Sequence, residues 1–209
     1  MHHLLGLFDS PYVRRVAITM THYGIPFEHT SLSVFRHMEQ MRPLNPLFKV
    51  PLLSLPNGER MYESAYQLDY LDELARDAGV TPLTPPNGAD RRAVLQGVAL
   101  ALIATEKAVA LAYERRRPEA LVWVEWVERV RQQMRDALEQ CDVALEQNGG
   151  QWMVGKTMTQ ADVTLAVTVG FIRFVLPDEW QEKRCSLLGK HASRMEALQA
   201  FQAVPIDKE

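Results

Sequence analysis

Residues 49–70 read Lys-Val-Pro-Leu-Leu-Ser-Leu-Pro-Asn-Gly-Glu-Arg-Met-Tyr-Glu-Ser-Ala-Tyr-Gln-Leu-Asp-Tyr. Val50-Pro51 opens a short apolar run, Pro56-Asn57-Gly58 supplies a turn, and Arg60 to Tyr62 returns, which predicts a compact β-hairpin. A helix must follow, with Ser64 as its N-cap and Leu68, Leu71 and Leu74 along one face. Pro51 cannot donate to a sheet ladder, so it is confined to a strand's first residue, an edge or a bulge. The backbone of Val50 is thereby left to pair with something else, and an extended peptide would suit it.

Upstream, His3 to Phe8 has strand length and ends at Asp9-Ser10-Pro11. Ser10 followed by proline is an N-cap with Pro11 at the first helical position, and Val13, Val16, Ala17 and Met20 recur at helical spacing until Gly24 stops the helix. Phe27 to Leu32 gives a second strand and Met38 to Met41 a short helix. The order βαβ-α-ββα is thioredoxin-like, and α/β sheets of this kind place ligands at strand carboxyl ends and the next helix N-terminus, where Ser10 lies.

Downstream, Pro82, Pro85, Pro86 and Gly88 mark residues 80–89 as a linker. Long helices follow. Val94, Val98, Ala101, Leu102, Thr105 and Val109 form one stripe, and Leu121, Val124, Val127, Val130, Met134, Leu138 and Leu145 another. Pro118, after Arg115-Arg116-Arg117, separates the two helices, and the arginines read as a solvated helix end. Trp123 and Trp126 are expected in the core or on a dimer surface. Thr159-Gln160-Ala161-Asp162 is a capping-box pattern with Met158 and Val163 as its hydrophobic staple; it predicts a buried helix running to Val175, stopped by Pro177.

With 209 residues, a formal net charge of −3, 47% hydrophobic and 23% charged residues, the chain is ordinary in composition and does not suggest a nucleic-acid partner. No uninterrupted apolar run reaches the ~18 residues needed to cross a bilayer, and the opening Met-His-His-Leu-Leu-Gly-Leu-Phe lacks the features of a signal peptide, so a cytoplasmic location without membrane attachment is expected. Cys141 and Cys185 lie far apart without Cys-x-x-Cys spacing, which points to neither a metal site nor a dithiol centre.

Ser10-Pro11-Tyr12, Val50-Pro51, Glu63-Ser64 and Thr159-x-x-Asp162, in this order across nearly the whole chain, resemble the cytosolic glutathione S-transferases, of the bacterial kind with a serine-type active site. The resemblance implies a thioredoxin-like glutathione-binding domain over 1–79, a linker over 80–89 and an all-helical domain over 90–209, which lines an electrophile pocket at the cleft. Pro51 would be cis, Val50 would exchange main-chain hydrogen bonds with the cysteinyl part of glutathione, and Glu63 and Ser64 would grip its γ-glutamyl end. Lys49 would meet the glycyl carboxylate, with Phe35 or Arg36 completing that wall. Ser10 would activate the thiol and Tyr12 is its local rival; Tyr12, Val109 and Tyr113 are candidates for the substrate pocket. Pro51, Thr159 and Asp162 carry structural roles.

The implied activity is conjugation of glutathione, as co-substrate and without a metal, to small apolar electrophiles by a homodimer engaged in detoxification. Relatives that form mixed disulfides have cysteine where Ser10 stands, so thiol transfer is disfavoured. The alternatives are a glutathione-dependent isomerase, lyase or peroxidase, and a non-enzymatic binding or protein-interaction module on the same fold.

Overall fold

The computed structural model describes residues 1–181 and 184–206. Two compact units divide the chain: Met1–Pro82 together with Ala197–Glu209, and Leu83–Glu196.

The first unit holds β1 (His2–Leu5), α1 (Pro11–Tyr23), β2 (Phe27–Thr30), α2 (Met38–Met41), β3 (Leu52–Ser54), β4 (Arg60–Tyr62), α3 (Ser64–Asp77) and, from the chain's far end, a short helix Gln199–Gln202. Its sheet has the order β2-β1-β3-β4. β1 and β2 run parallel with His3 opposite Glu28, while β3 lies antiparallel to both β1 and β4, with Leu53 opposite Leu4 and Met61. The mixed sheet with its helices is the thioredoxin-like arrangement the sequence predicts. Pro11 fixes the first turn of α1 and Gly24, at φ 68°, closes it by donating to the carbonyls of Met20 and Thr21. Val13, Val16, Ile18 and Met20 are fully buried there, with Leu4, Leu53 and Leu71 opposite. β1 leaves the sheet through Gly6 at φ 134°, where a Cβ would come within 2.6 Å of Val13 Cγ2 and 2.9 Å of Val50 Cβ. Only glycine lets this turn pass so close, and the passage makes Val13 and Val50 neighbours.

The return of the chain from Ala197 to the first unit departs from the expected boundary, which gave everything after 89 to the helical domain. The cause is Arg14. This buried guanidinium on α1 donates through Nε to the carbonyl of Val204 at 2.9 Å and stands 5.7 Å over the ring of Phe201, itself 1% exposed. A buried cation needs acceptors, and the returning segment supplies them. The end of the expected helical domain, 207–209, lies outside the described residues.

The second unit contains α4 (Gly88–Glu114), α5 (Val124–Gln147), α6 (Gln160–Val175) and α7 (Ser186–Glu196), with one-turn 3-10 segments at Glu119–Leu121 and Pro177–Glu179. α6 is buried from Gln160 to Val169 without interruption, as befits a core helix apolar on every side. Gly97 of α4 admits Ala161 so closely that a Cβ would sit 2.8 Å from the alanine methyl, and Thr105 and Thr168 share a 2.6 Å hydrogen bond across the same pair.

The capping box forms. Asp162, fully buried, accepts from the N–H of Thr159 at 2.8 Å, its hydroxyl at 2.9 Å, the N–H of Met153 at 2.8 Å and Nε2 of His191 at 3.0 Å. Two readings of this unit are corrected. The second stripe starts at Val127, half-buried against the core: Leu121, Trp123 and Val124 are 62–66% exposed and Trp126 is 39% exposed, because the 3-10 segment after Pro118 delays α5 and leaves Trp123 outside it. Of the two places expected for the tryptophans, core and dimer surface, their exposure removes the core. In addition, α4 is long and apolar enough, by length and composition, to cross a membrane, which uninterrupted apolar runs did not indicate. It packs here against α5 and α6, burying Val94, Ala101, Ala104, Ala108 and Leu111.

Candidate functional site

The chain entering the hairpin is held open by side chains. Asn45, fully buried, donates through Nδ2 to the carbonyl of Lys49 and accepts from the N–H of Leu47 at 3.1 Å, which shapes the loop ahead of Val50. The Val50-Pro51 bond is cis. Among the described residues, the backbone N–H and C=O of Val50 make no hydrogen bond. Partly exposed and beside β3, they present an unused donor and acceptor to an extended ligand, as in strand addition.

Across the hairpin stands the start of α3. Ser64 was expected to cap this helix; instead Glu63 takes the cap position at φ 64°, without a side-chain cap bond, and Ser64 is the first helical residue. The reason is Arg15. From α1 this buried guanidinium donates to Ser64 Oγ through Nε at 3.1 Å and through Nη2 at 2.7 Å. Burial pushes Arg15 down to about 10, with the charges of Tyr12 and Glu63 opposing, so it stays a cation near neutral pH. The Ser64 oxygen accepts twice and its own O–H proton is uncommitted by those bonds. With the N–H groups of the first helical turn and the dipole behind them, it offers a place for a carboxylate. Glu63 is exposed and pairs with Lys49 Nζ at 3.0 Å, so opposite charges flank Val50 in an ion pair that contributes little to stability. A non-glycine residue at positive φ is a sparsely populated conformation, and such residues gather at ligand sites.

Ser10 caps α1 with φ −69° and ψ 119° and accepts from the N–H of Val13 at 3.5 Å, at the outer limit of a hydrogen bond. That bond leaves the hydroxyl proton for another partner. Val13, which donates to Ser10, also lines the close passage at Gly6, as does Val50. Tyr12, next on the helix, is half-buried, and its phenol acts on the charge of Arg15.

The structure thus places Lys49, Val50, Pro51, Glu63 and Ser64 around the hairpin and the start of α3, with Ser10 in the same unit at the start of α1. Phe35 and Arg36 are exposed on a separate loop, folded over Ser33, whose hydroxyl accepts from their N–H groups at 3.2 and 3.4 Å. Val109 and Tyr113 belong to α4 of the second unit, Val109 packed against its core and Tyr113 half exposed. Burial raises the free thiols of Cys141 and Cys185 to about 12 and about 11, so neither is a nucleophile near neutral pH. Sequence reading missed Arg15, Asn45 and Gln67, three buried polar residues; Gln67 donates to the carbonyls of Pro51 at 3.1 Å and Met61 at 2.8 Å. The one local signal was Arg15 itself, a charge among the buried positions of an apolar helix.

Comparison with known proteins covers both units. Residues 4–79 match the N-terminal domain of the glutathione S-transferases and residues 124–200 the C-terminal domain. Glutathione S-transferase U7 of Arabidopsis thaliana is 33% identical over 82 residues, 39% of this chain and 36% of that protein, and across the curated plant relatives it matches the chain spans from about a third to just over half of their length. A glutathione S-transferase of Methylobacterium radiotolerans, solved in complex with glutathione sulfonate, superposes with a TM-score of 0.89 at 28% identity, covering 100% of this chain and 96% of that one. One from Methylobacillus flagellatus, solved with glutathione bound, has a TM-score of 0.89 and 26% identity, covering 99% and 100% of the two chains.

Proposed function

The chain belongs to the glutathione S-transferase family, and on that premise we propose that it binds glutathione in its first unit and activates the thiol for attack on small apolar electrophiles. The observation that carries the proposal is the unpaired backbone of Val50 between Lys49 and the Arg15-supported start of α3. Glutathione is an extended peptide with a carboxylate at each end and one ammonium. Val50 pairs with its cysteinyl backbone, Ser64 and the first turn of α3 receive the γ-glutamyl carboxylate, Glu63 takes the ammonium, and Lys49 turns from Glu63 to the glycyl carboxylate. The thiol then falls to Ser10, whose hydroxyl and neighbouring α1 amides stabilise the thiolate. The thiol proton passes to solvent, the sulfur pair forms the new S–C bond, and the leaving group departs with its electrons.

Saturating glutathione is expected to stabilise the folded protein. At a hundredfold excess over the dissociation constant the gain is about 2.7 kcal/mol, or roughly 5–10 °C in melting temperature for a chain of this size. Melts unchanged by millimolar glutathione, with calorimetry showing no heat of binding, would remove the site assignment.

We also propose that the protein is a homodimer. The large apolar side chains left exposed, among them Tyr66 on α3 and Leu95 and Ile103 on α4, supply surface for such an interface. Light scattering at micromolar concentration is expected to give the mass of two chains; the mass of one chain overturns this part.

A further inference from the structure

Two buried carboxamides grip the backbone on either side of Val50. Asn45 Nδ2 donates to the carbonyl of Lys49, the residue before it, and Gln67 Nε2 donates to the carbonyl of Pro51, the residue after it. Both side chains are completely buried. Val50 alone in this run makes no hydrogen bond among the described residues. Gln67 also donates to the carbonyl of Met61, so one amide on α3 ties the entry of β3 to β4 just ahead of Glu63 and Ser64.

The orientation of the Gln67 amide is settled by this geometry. Turning it over would aim its oxygen at two carbonyl oxygens, so the nitrogen must face them. The cost is visible: Gln67 Oε1 is buried without a hydrogen-bond partner among the described residues. An apolar side chain on this inward face would avoid that unmet acceptor, so the glutamine is not what packing alone would select.

We propose that Gln67, with Asn45, is a positioning residue for glutathione: the two amides lock the carbonyls flanking Val50, so that its own N–H and C=O stand preorganised for the peptide. This rests on the glutathione reading above. Preorganised pairing groups spare the ligand the cost of ordering the loop, so the clamp acts on the affinity for the peptide backbone and not on the thiol. Asn45 acts before Val50 and Gln67 after it.

The test is Gln67→Met, which keeps length and apolar volume and deletes the donor. Calorimetry with glutathione and with S-methylglutathione is expected to show both weakened by about tenfold, the loss of one hydrogen bond's worth of organisation. At saturation, the thiolate titration of bound glutathione should remain that of wild type. Equal affinities in wild type and Gln67→Met, with a lowered melting temperature of the free protein, would reduce the glutamine to a structural tie and overturn the clamp alone. A wild type that binds neither peptide overturns the glutathione reading, and the clamp with it. Should Gln67→Met fail to fold, Gln67→Glu decides. Its carboxyl, buried against two carbonyl oxygens, is held protonated and can donate to only one of them, so both peptides should weaken less than in a variant without a donor and more than in wild type; wild-type affinities overturn the proposal.

Discussion

Asp162→Ala is expected to cost about 4 kcal/mol of folding stability, a large part of the 5–15 kcal/mol that holds a typical domain together. Four donors converge on this carboxylate: two backbone N–H groups, from Met153 and Thr159, the Thr159 hydroxyl, and His191 Nε2. Met153 and His191 are buried, so alanine leaves at least their two donors without a partner or water, while those of half-buried Thr159 keep some access. Each unmet buried group costs about 1–3 kcal/mol, and relaxation around the small cavity recovers only part of the sum. Asp162→Asn keeps the volume and one acceptor oxygen but turns an amide nitrogen toward donors, so its loss should fall between alanine and wild type. Urea unfolding reads the effect as a lower midpoint at unchanged slope. A loss under about 1 kcal/mol for alanine would show that the network does not form. Glutathione affinity of the folded variant should be unaltered, because none of the Asp162 hydrogen bonds reaches the first unit.

Ser10→Ala tests the chemistry. A free thiol of pKa ~8.5 is only about 3% ionised at pH 7; lowered to ~6.5 it is roughly 75% ionised, a change of about 2.7 kcal/mol. A helix N-terminus and one hydrogen bond supply energy of that order. If the Ser10 hydroxyl donates to the sulfur, the ultraviolet absorbance of the bound thiolate should titrate near pH 6 to 7 in wild type and move up by about 1 unit or more in Ser10→Ala. Turnover at pH 6.5 should fall in step. Stability will barely decide the matter, because the cap bond to Val13 is 3.5 Å long and its loss costs at most ~1 kcal/mol. Ser10→Gly is the control: glycine is nearly as good a cap, so it should restore the fold's stability and none of the thiolate. Wild-type titration in both variants would leave Ser10 a cap and pass the activation to Tyr12 or to backbone amides.

What the sequence revealed was local. The turn at Pro56-Asn57-Gly58, the Ser10-Pro11 helix start and the Thr159 to Asp162 box each lie within a few residues, where turn and cap chemistry act directly, and the structure contains all three. The hairpin left Val50 unpaired as its proline implied. What stayed hidden depends on partners distant in the chain. Ser64 looked like a cap because nothing near it announces Arg15, which reaches it across 49 residues. Gln67 looked like one more polar position on an amphipathic helix, since only the folded hairpin brings the Pro51 and Met61 carbonyls to its amide. Of the two places open to the tryptophans, core or surface, only the folded chain decides, because the 3-10 segment ahead of α5 leaves them outside the packed stripe.

The return of Phe201 and Val204 to Arg14 has a consequence for biogenesis. All of Leu83–Glu196 must be made between the two parts of the first unit. At roughly 5–20 residues per second this leaves the emerging N-terminal part waiting on the order of ten seconds for the segment that covers its buried arginine. On the ribosome the second unit, contiguous in the chain, can close first, while the first unit, split in the chain, is completed last. A nascent chain stalled before residue 197 would therefore offer chaperones an open α1 surface, with Arg14 still uncovered.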